Sequence, residues 1–340
     1  MEQHIMGVAV IGCGIIANNH IQSILEMEQA ELLYLVDVDE PKAKALAKTY
    51  GCDYGVDIDE VLQDDRVQVV HILTPHYLHY PMTKKAIEAG KHVVLEKPVT
   101  IHVEDARDLE RLAKRHHRQV ATVFQNRLNP SSIEAKHLIN SDQLGAIKGI
   151  KAVVTWSRDS AYYEQADWRG KWKTEGGGLL INQAIHVLDL MRWLGGPMKK
   201  IKGHMDTRLL EDYIEVDDTA EATITYDSGA VGIFYGTNNY VDNSAIEMEI
   251  LGEKAKLRLM DNGLWLDKGQ GYRQIIHDEK VRNGKSYWGN SHGLLIKKAY
   301  EAIVKGDKIA TDISEGLKTL EIVQGIYQSS KTGEDYYFKH

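Results

Sequence analysis

The chain has 340 residues, a length that one hydrophobic core seldom supports, so we expect two domains. Its 41 basic and 49 acidic residues give a formal net charge of -8, which disfavours a nucleic-acid partner. We find no targeting segment and no apolar run of the roughly 20 residues that a membrane helix needs, and we therefore expect a cytoplasmic protein without membrane contact.

Strands and helices alternate up to about residue 124. Strands are predicted at 7–12, 31–37, 67–73, 92–96 and 119–124, and helices near 18–28, 40–50, 78–89 and 103–117. This alternation is typical of βαβ units with right-handed crossovers. It predicts an α/β fold that begins with a Rossmann domain, a doubly wound parallel sheet, over residues 1–124.

The rhythm changes after residue 124. Runs rich in β-formers are found at 147–158, 199–208, 218–227, 229–238, 245–252 and 255–261, an apolar helix at 178–194, and closing helices near 291–305 and 312–328. Turn signals at 227–229 and 261–263 separate the runs. Residues 125–340 are therefore predicted to form an α+β domain with a large, open, mainly antiparallel sheet.

A glycine turn follows the first predicted strand and opens a helix. Gly12 would permit the tight turn, Gly14 the approach of a pyrophosphate, and Ala17 close packing of helix on sheet. Ile15 and Ile16 lie at the helix N-terminus, which attracts phosphate. The pattern predicts dinucleotide binding, the alternative being a glycine turn without a ligand.

Asp37 ends the second predicted strand, 20 positions after Ala17. A carboxylate there accepts hydrogen bonds from the ribose hydroxyls of NAD and repels the 2′-phosphate of NADP, so NAD is favoured and NADP disfavoured. The alternative is an Asp that caps the next helix, and it would weaken only the choice of NAD.

Two further groups lie where open α/β sheets bind ligands, at the carboxyl ends of strands three and four. Thr74, Pro75, His76 and His79 follow the third strand, and Pro75 would form an apolar wall beside the nicotinamide. The spacing of His76 and His79 suggests a metal, but no third ligand is evident and we expect none. Glu96 and Lys97 follow the fourth strand, and all the residues of these two groups are predicted to contact the cofactor. Lys97 would also face the substrate as a cation, or remain a solvated surface charge.

The apolar helix at 178–194 follows three glycines and carries four polar residues, Asn182, Gln183, His186 and Asp189. At 3.6 residues per turn they form one stripe. A polar stripe on a buried helix must meet solvent or other buried polar groups. An active-site cleft and a satisfied core histidine explain it equally well.

Other candidates for a substrate pocket are Gln125 and Arg127 after the last Rossmann strand, and Trp168 and Arg169 before the three glycines. Aromatic and cationic side chains suit stacking on a sugar and binding of phosphate or carboxylate, although they also pack surface loops. His292, at the start of a closing helix, suits a packing role as well as a ligand contact.

In this order and spacing, the motifs GxGxxA, Asp after strand two, TPxxxH, EKP and GGGxLxNxxxHxxD resemble the glucose-fructose oxidoreductase, inositol dehydrogenase and MocA family. The similarity covers nearly the whole chain. It implies a Rossmann domain paired with an α/β domain whose open sheet commonly forms an oligomer interface, here a homodimer or homotetramer. The implied activity is NAD(P)-dependent oxidation of a sugar, sugar nucleotide or polyol.

The resemblance also implies residue roles. Lys97 would be catalytic, with a possible cis peptide to Pro98, and His186 matches the family's helix histidine. Asn182 departs from the aspartate of inositol-dehydrogenase-like members, which makes inositol a weaker candidate, and it would orient the substrate. With Asp189, Gln125, Arg127, Trp168 and Arg169, it completes the predicted substrate contacts.

For the chemistry we expect His186 as the base, because an imidazole accepts a proton near neutral pH, and Lys97 as the cation for the developing alkoxide. The sequence leaves open which of the two carries the proton. It also leaves open a catalytically silent NAD- or sugar-sensing regulator on the same fold, a double-bond reductase, and a hydrolase that uses NAD transiently.

Overall fold

The computed structural model describes residues 5–260, 263–279 and 291–339. The chain forms two compact units. One contains the chain up to Phe124 and returns for His292–Leu317; the other contains Gln125–Ser291 and the chain from Lys318 onward. The predicted boundary after residue 124 coincides with one junction, but His292–Leu317 lies in the first unit, whereas the sequence prediction placed it in the second.

The strands are β1 Met6–Ile11, β2 Ala30–Val36, β3 Asp53–Gly55, β4 Val67–Ile72, β5 His92–Leu95, β6 Val120–Thr122, β7 Ile147–Thr155, β8 Met198–Asp206, β9 Thr219–Tyr226, β10 Val231–Thr237, β11 Glu247–Gly252, β12 Lys256–Met260, β13 Gly263–Asp267, β14 Arg273–His277 and β15 Tyr336–Tyr337. The helices are α1 Ala17–Leu25, α2 Glu40–Tyr50, α3 Ile58–Leu62, α4 His76–Glu88, α5 Val103–Arg115, α6 Pro130–Asn140, α7 Ser160–Glu164, α8 Ile185–Gly195, α9 His292–Lys305 and α10 Ile313–Thr332.

The first unit contains a six-stranded sheet in the order β3-β2-β1-β4-β5-β6, with all pairs parallel. Every residue of β1 is buried, as expected of a strand covered on both faces. This confirms the predicted Rossmann sheet. The sequence prediction missed β3 and α3, which are too short to show a hydrophobic period. In the same unit, α9 packs against α1.

The second unit contains a nine-stranded sheet in the order β14-β13-β12-β11-β7-β10-β9-β8-β15. The β7–β10 pair is parallel and the remaining pairs are antiparallel, which confirms the predicted mainly antiparallel sheet. Buried and more exposed residues alternate along β7, whose buried side packs against α8. The sequence prediction missed β13, β14, β15, α6 and α7; the turn predicted at 261–262 lies outside the described residues.

Within the described part of the chain, every helix is too short or too polar to cross a membrane.

Candidate active site

The glycine turn of the first unit is built for close approach from outside. Gly12 has a φ of +99°, and a Cβ there would lie 2.8 Å from the carbonyl oxygen of Leu73, so only glycine fits. A Cβ on Gly14 would meet nothing within 4 Å, so the space beside it is open. No side chain caps the N-terminus of α1, and Ile15 is largely exposed. This combination fits a pyrophosphate.

Asp37 has a structural role in the glycine turn that the sequence did not reveal. Its Oδ2 accepts a hydrogen bond from the amide of Cys13 (2.8 Å), and its Oδ1 accepts one from the amide of Asp39 (3.0 Å). The carboxylate therefore holds the glycine turn to the end of β2. The alternative capping role belongs to Asp39, whose side chain accepts from the amide of Lys42. A carboxylate has about four acceptor positions, so Asp37 retains capacity for ribose hydroxyls.

In the segment after β4, one buried polar group lacks a hydrogen-bond partner among the described residues, and another is held by backbone carbonyl oxygens. The hydroxyl of Thr74 is buried and has no hydrogen-bond partner among the described residues, which suits a ligand contact. Pro75 precedes α4, and His76 is buried in its first turn. His79 is fully buried, with Nδ1 2.6 Å from the carbonyl oxygen of Pro98 and Nε2 2.9 Å from that of Thr74.

Both ring nitrogens of His79 thus lie against backbone carbonyl oxygens, which gives this side chain a structural role, while its contact with a cofactor stays a prediction. His79 joins the end of β4 to the segment after β5. The described residues contain no cluster of three or more His, Cys, Asp or Glu side chains arranged to hold a metal.

Lys97 is the second residue after β5 and lies between two anchored neighbours. The Lys97–Pro98 peptide is cis, as the resemblance implied, and the carbonyl of Pro98 faces His79. On the other side, Oε2 of Glu96 accepts from the amide of Lys97 (3.3 Å), and Oε1 lies 3.1 Å from Nε2 of His20. Glu96 thus contacts protein groups beside Lys97, and its contact with a cofactor stays a prediction.

In the second unit, the predicted regular helix with one polar stripe is wrong. Leu179–Gln183 form a π-helical turn, and α8 begins only at Ile185. The buried carboxylate of Asp217 causes this start, because it accepts from the amides of Gly178 and Leu180 (2.8 Å each). A Cβ on Gly178 would lie 2.0 Å from the carbonyl oxygen of Asp217, so this approach requires glycine.

The polar residues of this segment consequently face different partners. The amide nitrogen of Asn182 donates to Oε1 of Glu175 (2.6 Å), and that of Gln183 donates to the hydroxyl of Tyr162 (3.1 Å). His186 is buried in the first turn of α8. Glu175 therefore holds the side chain of Asn182, and the predicted roles of Asn182 as a substrate contact and of His186 as a catalytic residue stay predictions.

Asp189 and Arg127 bind each other. The guanidinium donates to both carboxylate oxygens (2.7 and 2.5 Å), and Thr319 donates to the same carboxylate (2.7 Å). Both members of the ion pair are almost fully buried. The two charges therefore satisfy one another in a buried ion pair, and the substrate contacts predicted for Arg127 and Asp189 stay predictions.

The remaining candidates for substrate contacts, Gln125, Trp168 and Arg169, differ in the contacts that their side chains make with the protein. Gln125 is buried, and its amide oxygen has no hydrogen-bond partner among the described residues, which keeps it a candidate for a ligand contact. Arg169 stacks on Tyr162 (4.3 Å to the ring centroid) and donates to the Tyr162 carbonyl oxygen (3.0 Å). Trp168, half-buried, lies against the same guanidinium. The substrate role of these three residues stays a prediction.

Sequence reasoning missed two buried carboxylates, Glu175 and Asp217. Burial raises the pKa of Glu175 to about 7, although the amides of Gly170 and Asn182 donate to it. Burial likewise raises the pKa of Asp217. The position of Glu175 directly before the three glycines of the motif was a signal in the sequence. Asp217 lies in a segment with no motif, so the sequence held no comparable signal for it.

Comparison with known proteins agrees with this geometry. Residues 6–124 match the NAD-binding Rossmann domain of the GFO/IDH/MocA oxidoreductases, and residues 133–258 match their C-terminal domain. An uncharacterised oxidoreductase of Synechocystis sp. is 31% identical over 79% of this chain and 75% of its own. The chain therefore belongs to the GFO/IDH/MocA oxidoreductase family, as the motifs indicated.

Two relatives with named substrates are also similar. The NAD(+)-dependent scyllo-inositol 2-dehydrogenase of Bacillus subtilis is 27% identical over 84% of each chain. The WlbA dehydrogenase of Chromobacterium violaceum, solved with NADH and UDP-GlcNAcA, is 27% identical, covers 100% of this chain and 97% of its own, and superposes with a TM-score of 0.88. The family thus includes dehydrogenases of polyols and of sugar nucleotides.

Proposed function

We propose that this chain is an NAD-dependent dehydrogenase that oxidises a secondary alcohol of a sugar, sugar nucleotide or polyol. The observation that carries the proposal is the placement of Lys97 at the carboxyl end of β5, between two anchored neighbours, in the unit that also presents the open glycine turn. Parallel sheets bind ligands at this edge. Membership of the oxidoreductase family supports the reaction class.

When bound, NAD+ would supply the hydride acceptor, and the alcohol would become a ketone as its hydroxyl proton leaves. His186 would accept that proton, because an imidazole ionises near neutral pH. Lys97 would donate a hydrogen bond to the same oxygen and stabilise its developing negative charge. Asn182, held by Glu175, would orient the substrate, with Gln125, Trp168 and Arg169 as further contacts.

Preference for NAD over NADP is part of the proposal. Asp37 stays at the end of β2 because two backbone amides bind its carboxylate, so its negative charge is fixed close to the glycine turn. A fixed carboxylate there favours two ribose hydroxyls over a 2′-phosphate.

We further propose a homodimer or homotetramer that associates through the open sheet. Val231 and Ile233, on the internal strand β10, are 45% and 54% exposed, and exposed apolar groups within a sheet face suit an interface. A monomer by light scattering at micromolar concentration would contradict this. The cytoplasmic location expected from the sequence stays a prediction.

A spectrophotometric screen tests the activity. NAD+ reduction at 340 nm would be measured with inositols, free hexoses, hexose phosphates and UDP-sugars. We expect turnover with at least one class, and turnover lowered roughly 10²–10⁴-fold in the Lys97→Ala variant. Tight NAD binding without turnover of any sugar or polyol, in either direction, would contradict the proposal and favour a sensing role.

A further inference from the structure

Four buried polar side chains form a continuous hydrogen-bonded line in the first unit. Oε1 of Glu96 lies 3.1 Å from Nε2 of His20, Nδ1 of His20 lies 2.8 Å from Nδ1 of His71, and Nε2 of His71 lies 2.7 Å from the hydroxyl of Tyr300. His20, His71 and Tyr300 are 0% exposed and Glu96 is 9% exposed. We name these four residues the histidine relay.

The relay connects four elements of the unit that are far apart in sequence. His20 lies on the buried face of α1, His71 within β4, Tyr300 on the buried face of α9, and Glu96 directly after β5. Burying this many polar groups is costly unless each is hydrogen-bonded, and apolar side chains of similar size would fill the space at lower cost. Packing alone therefore does not account for the relay.

Glu96 is the terminal acceptor of the line. Burial alone would raise the pKa of Glu96, but the hydrogen bond with His20 and the neighbouring His292 and Lys97 lower it to about 2, so Glu96 is an anion. It therefore accepts from Nε2–H of His20. Burial lowers the pKa of His71 well below its usual range and raises that of Tyr300 well above its own, so both stay neutral, and either direction of the hydrogen bond between the two histidines leaves the contact with Glu96 in place.

This line ends beside Lys97. One carboxylate oxygen of Glu96 is held by His20, and the other accepts the hydrogen bond from the backbone amide of Lys97. A carboxylate fixed through one oxygen cannot rotate freely to release the other. The charge of Glu96 also stays next to a lysine that the chemistry requires as a cation.

We propose that the histidine relay is a positioning device for Lys97: it holds the Glu96 carboxylate in one orientation, and this carboxylate fixes the backbone of the lysine. His20, His71 and Tyr300 are accordingly positioning residues, which act through Glu96. The importance of the relay for turnover rests on the proposed catalytic role of Lys97, whereas its effect on the placement of Lys97 does not.

The test uses three variants of the full chain. His20→Leu removes the donor to Glu96, and His20→Gln restores an amide donor at that position. Tyr300→Phe removes only the hydroxyl at the far end and is the milder change. Tyr226→Phe is the matched control, because this buried tyrosine also donates one hydrogen bond, to the carbonyl oxygen of Met191, but lies in the second unit.

Two measurements report on Lys97. The first is the 13C NMR signal of reductively dimethylated Lys97, assigned with Lys97→Arg, which needs neither substrate nor activity. The second is turnover per NADH-binding site, so that loss of folded protein does not count. We expect His20→Leu to shift the Lys97 signal and to lower turnover roughly tenfold or more, with NAD affinity within about twofold of the wild type.

His20→Gln should recover most of both effects, Tyr300→Phe should show them more weakly, and Tyr226→Phe should show neither. A Lys97 signal that stays in place in both His20→Leu and Tyr300→Phe would overturn the proposal. If His20→Leu does not fold, Tyr300→Phe alone decides between these results. If the wild type oxidises no sugar or polyol, the proposed function fails while the NMR signal still tests the relay.

Discussion

Glu96 in the first unit and Glu175 in the second are both buried, yet their pKa values are shifted in opposite directions. The pKa of Glu96 is lowered to about 2, while burial raises that of Glu175 to about 7. Glu96 has the imidazole of His20 and the nearby Lys97 as partners. Glu175 receives its hydrogen bonds from two uncharged amides, those of Gly170 and Asn182.

The difference shows that partners, rather than burial itself, decide the charge of an enclosed carboxylate. The first unit keeps an anion beside the backbone amide of Lys97. The second unit keeps a carboxyl group whose pKa is raised to about 7, and this group accepts a hydrogen bond from Asn182, a candidate substrate contact.

The largest expected effect comes from replacing the candidate catalytic residue of each unit, Lys97 in the first and His186 in the second. Lys97→Ala and His186→Ala should each lower turnover roughly 10²–10⁴-fold, because one removes the proposed stabilising cation and the other the proposed proton acceptor. NAD binding should remain, since neither change touches the glycine turn or Asp37. Steady-state kinetics and calorimetry measure the two quantities.

Lys84→Ala and His204→Ala, at solvent-accessible positions, serve as controls and should leave turnover unchanged. In the double variant of Lys97 and His186, the losses should be less than additive if both groups act on one oxygen. Near-normal turnover in both single variants would contradict the assigned roles. His76 would then be the next candidate base, because His79 has both ring nitrogens engaged by carbonyl oxygens.

A third buried carboxylate extends the comparison. Asp189 has the guanidinium of Arg127 as its partner, and both side chains are almost fully buried. Asp189→Ala should lower the free energy of unfolding by about 3–5 kcal/mol, because it leaves a buried guanidinium uncompensated. Denaturant unfolding measures this loss. Replacing both residues, as in Arg127→Met with Asp189→Leu, should recover much of it; no recovery would show that the two side chains act separately.

The sequence predicted the alternation of the Rossmann sheet and the glycine turn well, because both depend on local spacing. It did not predict the relay, whose members come from four elements that only the folded chain brings together. Two signals were present: His20 shares the buried face of α1 with Ile21 and Ile24, and His71 interrupts an apolar strand. Each of these two signals indicates a buried polar side chain, but neither indicates the residue to which that side chain is hydrogen-bonded.

The helix after the three glycines shows another limit. A regular period of 3.6 predicted one stripe, but the carboxylate of Asp217 binds the first amides and imposes a π-helical turn. That contact spans about 40 residues of chain, so no local pattern reports it. The return of His292–Leu317 to the first unit has the same cause, since the partners of Tyr300 and His292 lie near the other end of the chain.

Glu175→Gln tests the ionisation of the second region. The unfolded pKa of a glutamate is about 4.3, and the folded value is raised to about 7, so the native state holds the extra proton between these values. Wild-type stability should therefore fall as pH rises through this window, by roughly 3–4 kcal/mol, and level off above it.

Glu175→Gln should lack this loss, so the stability of the wild type relative to the variant should fall from pH 4.5 to 7.5 in urea unfolding. Glu249→Gln is the control: although burial raises the pKa of Glu249, hydrogen bonds from Arg258 and Tyr272 lower it overall, so its contribution should not change above pH 5. A pH-independent difference between wild type and Glu175→Gln would mean that Glu175 is already ionised, like Glu96.

The smallest expected effect concerns Asp37, a carboxylate that is held by backbone amides but remains only partly buried. Alanine would remove the charge and also free the amide of Cys13, so Asp37→Asn is the sharper change: it keeps one acceptor oxygen for the turn and removes the charge. The ratio of NADP to NAD affinity should rise about tenfold, because repulsion of the 2′-phosphate is lost and Lys42, whose Nζ lies 3.7 Å from the carboxylate, remains near.

Calorimetry with both dinucleotides measures the ratio, and Asp39→Asn, which alters only the neighbouring helix cap, should leave it within about twofold. An unchanged ratio in Asp37→Asn would mean that Asp37 serves the glycine turn alone and that another residue selects the cofactor.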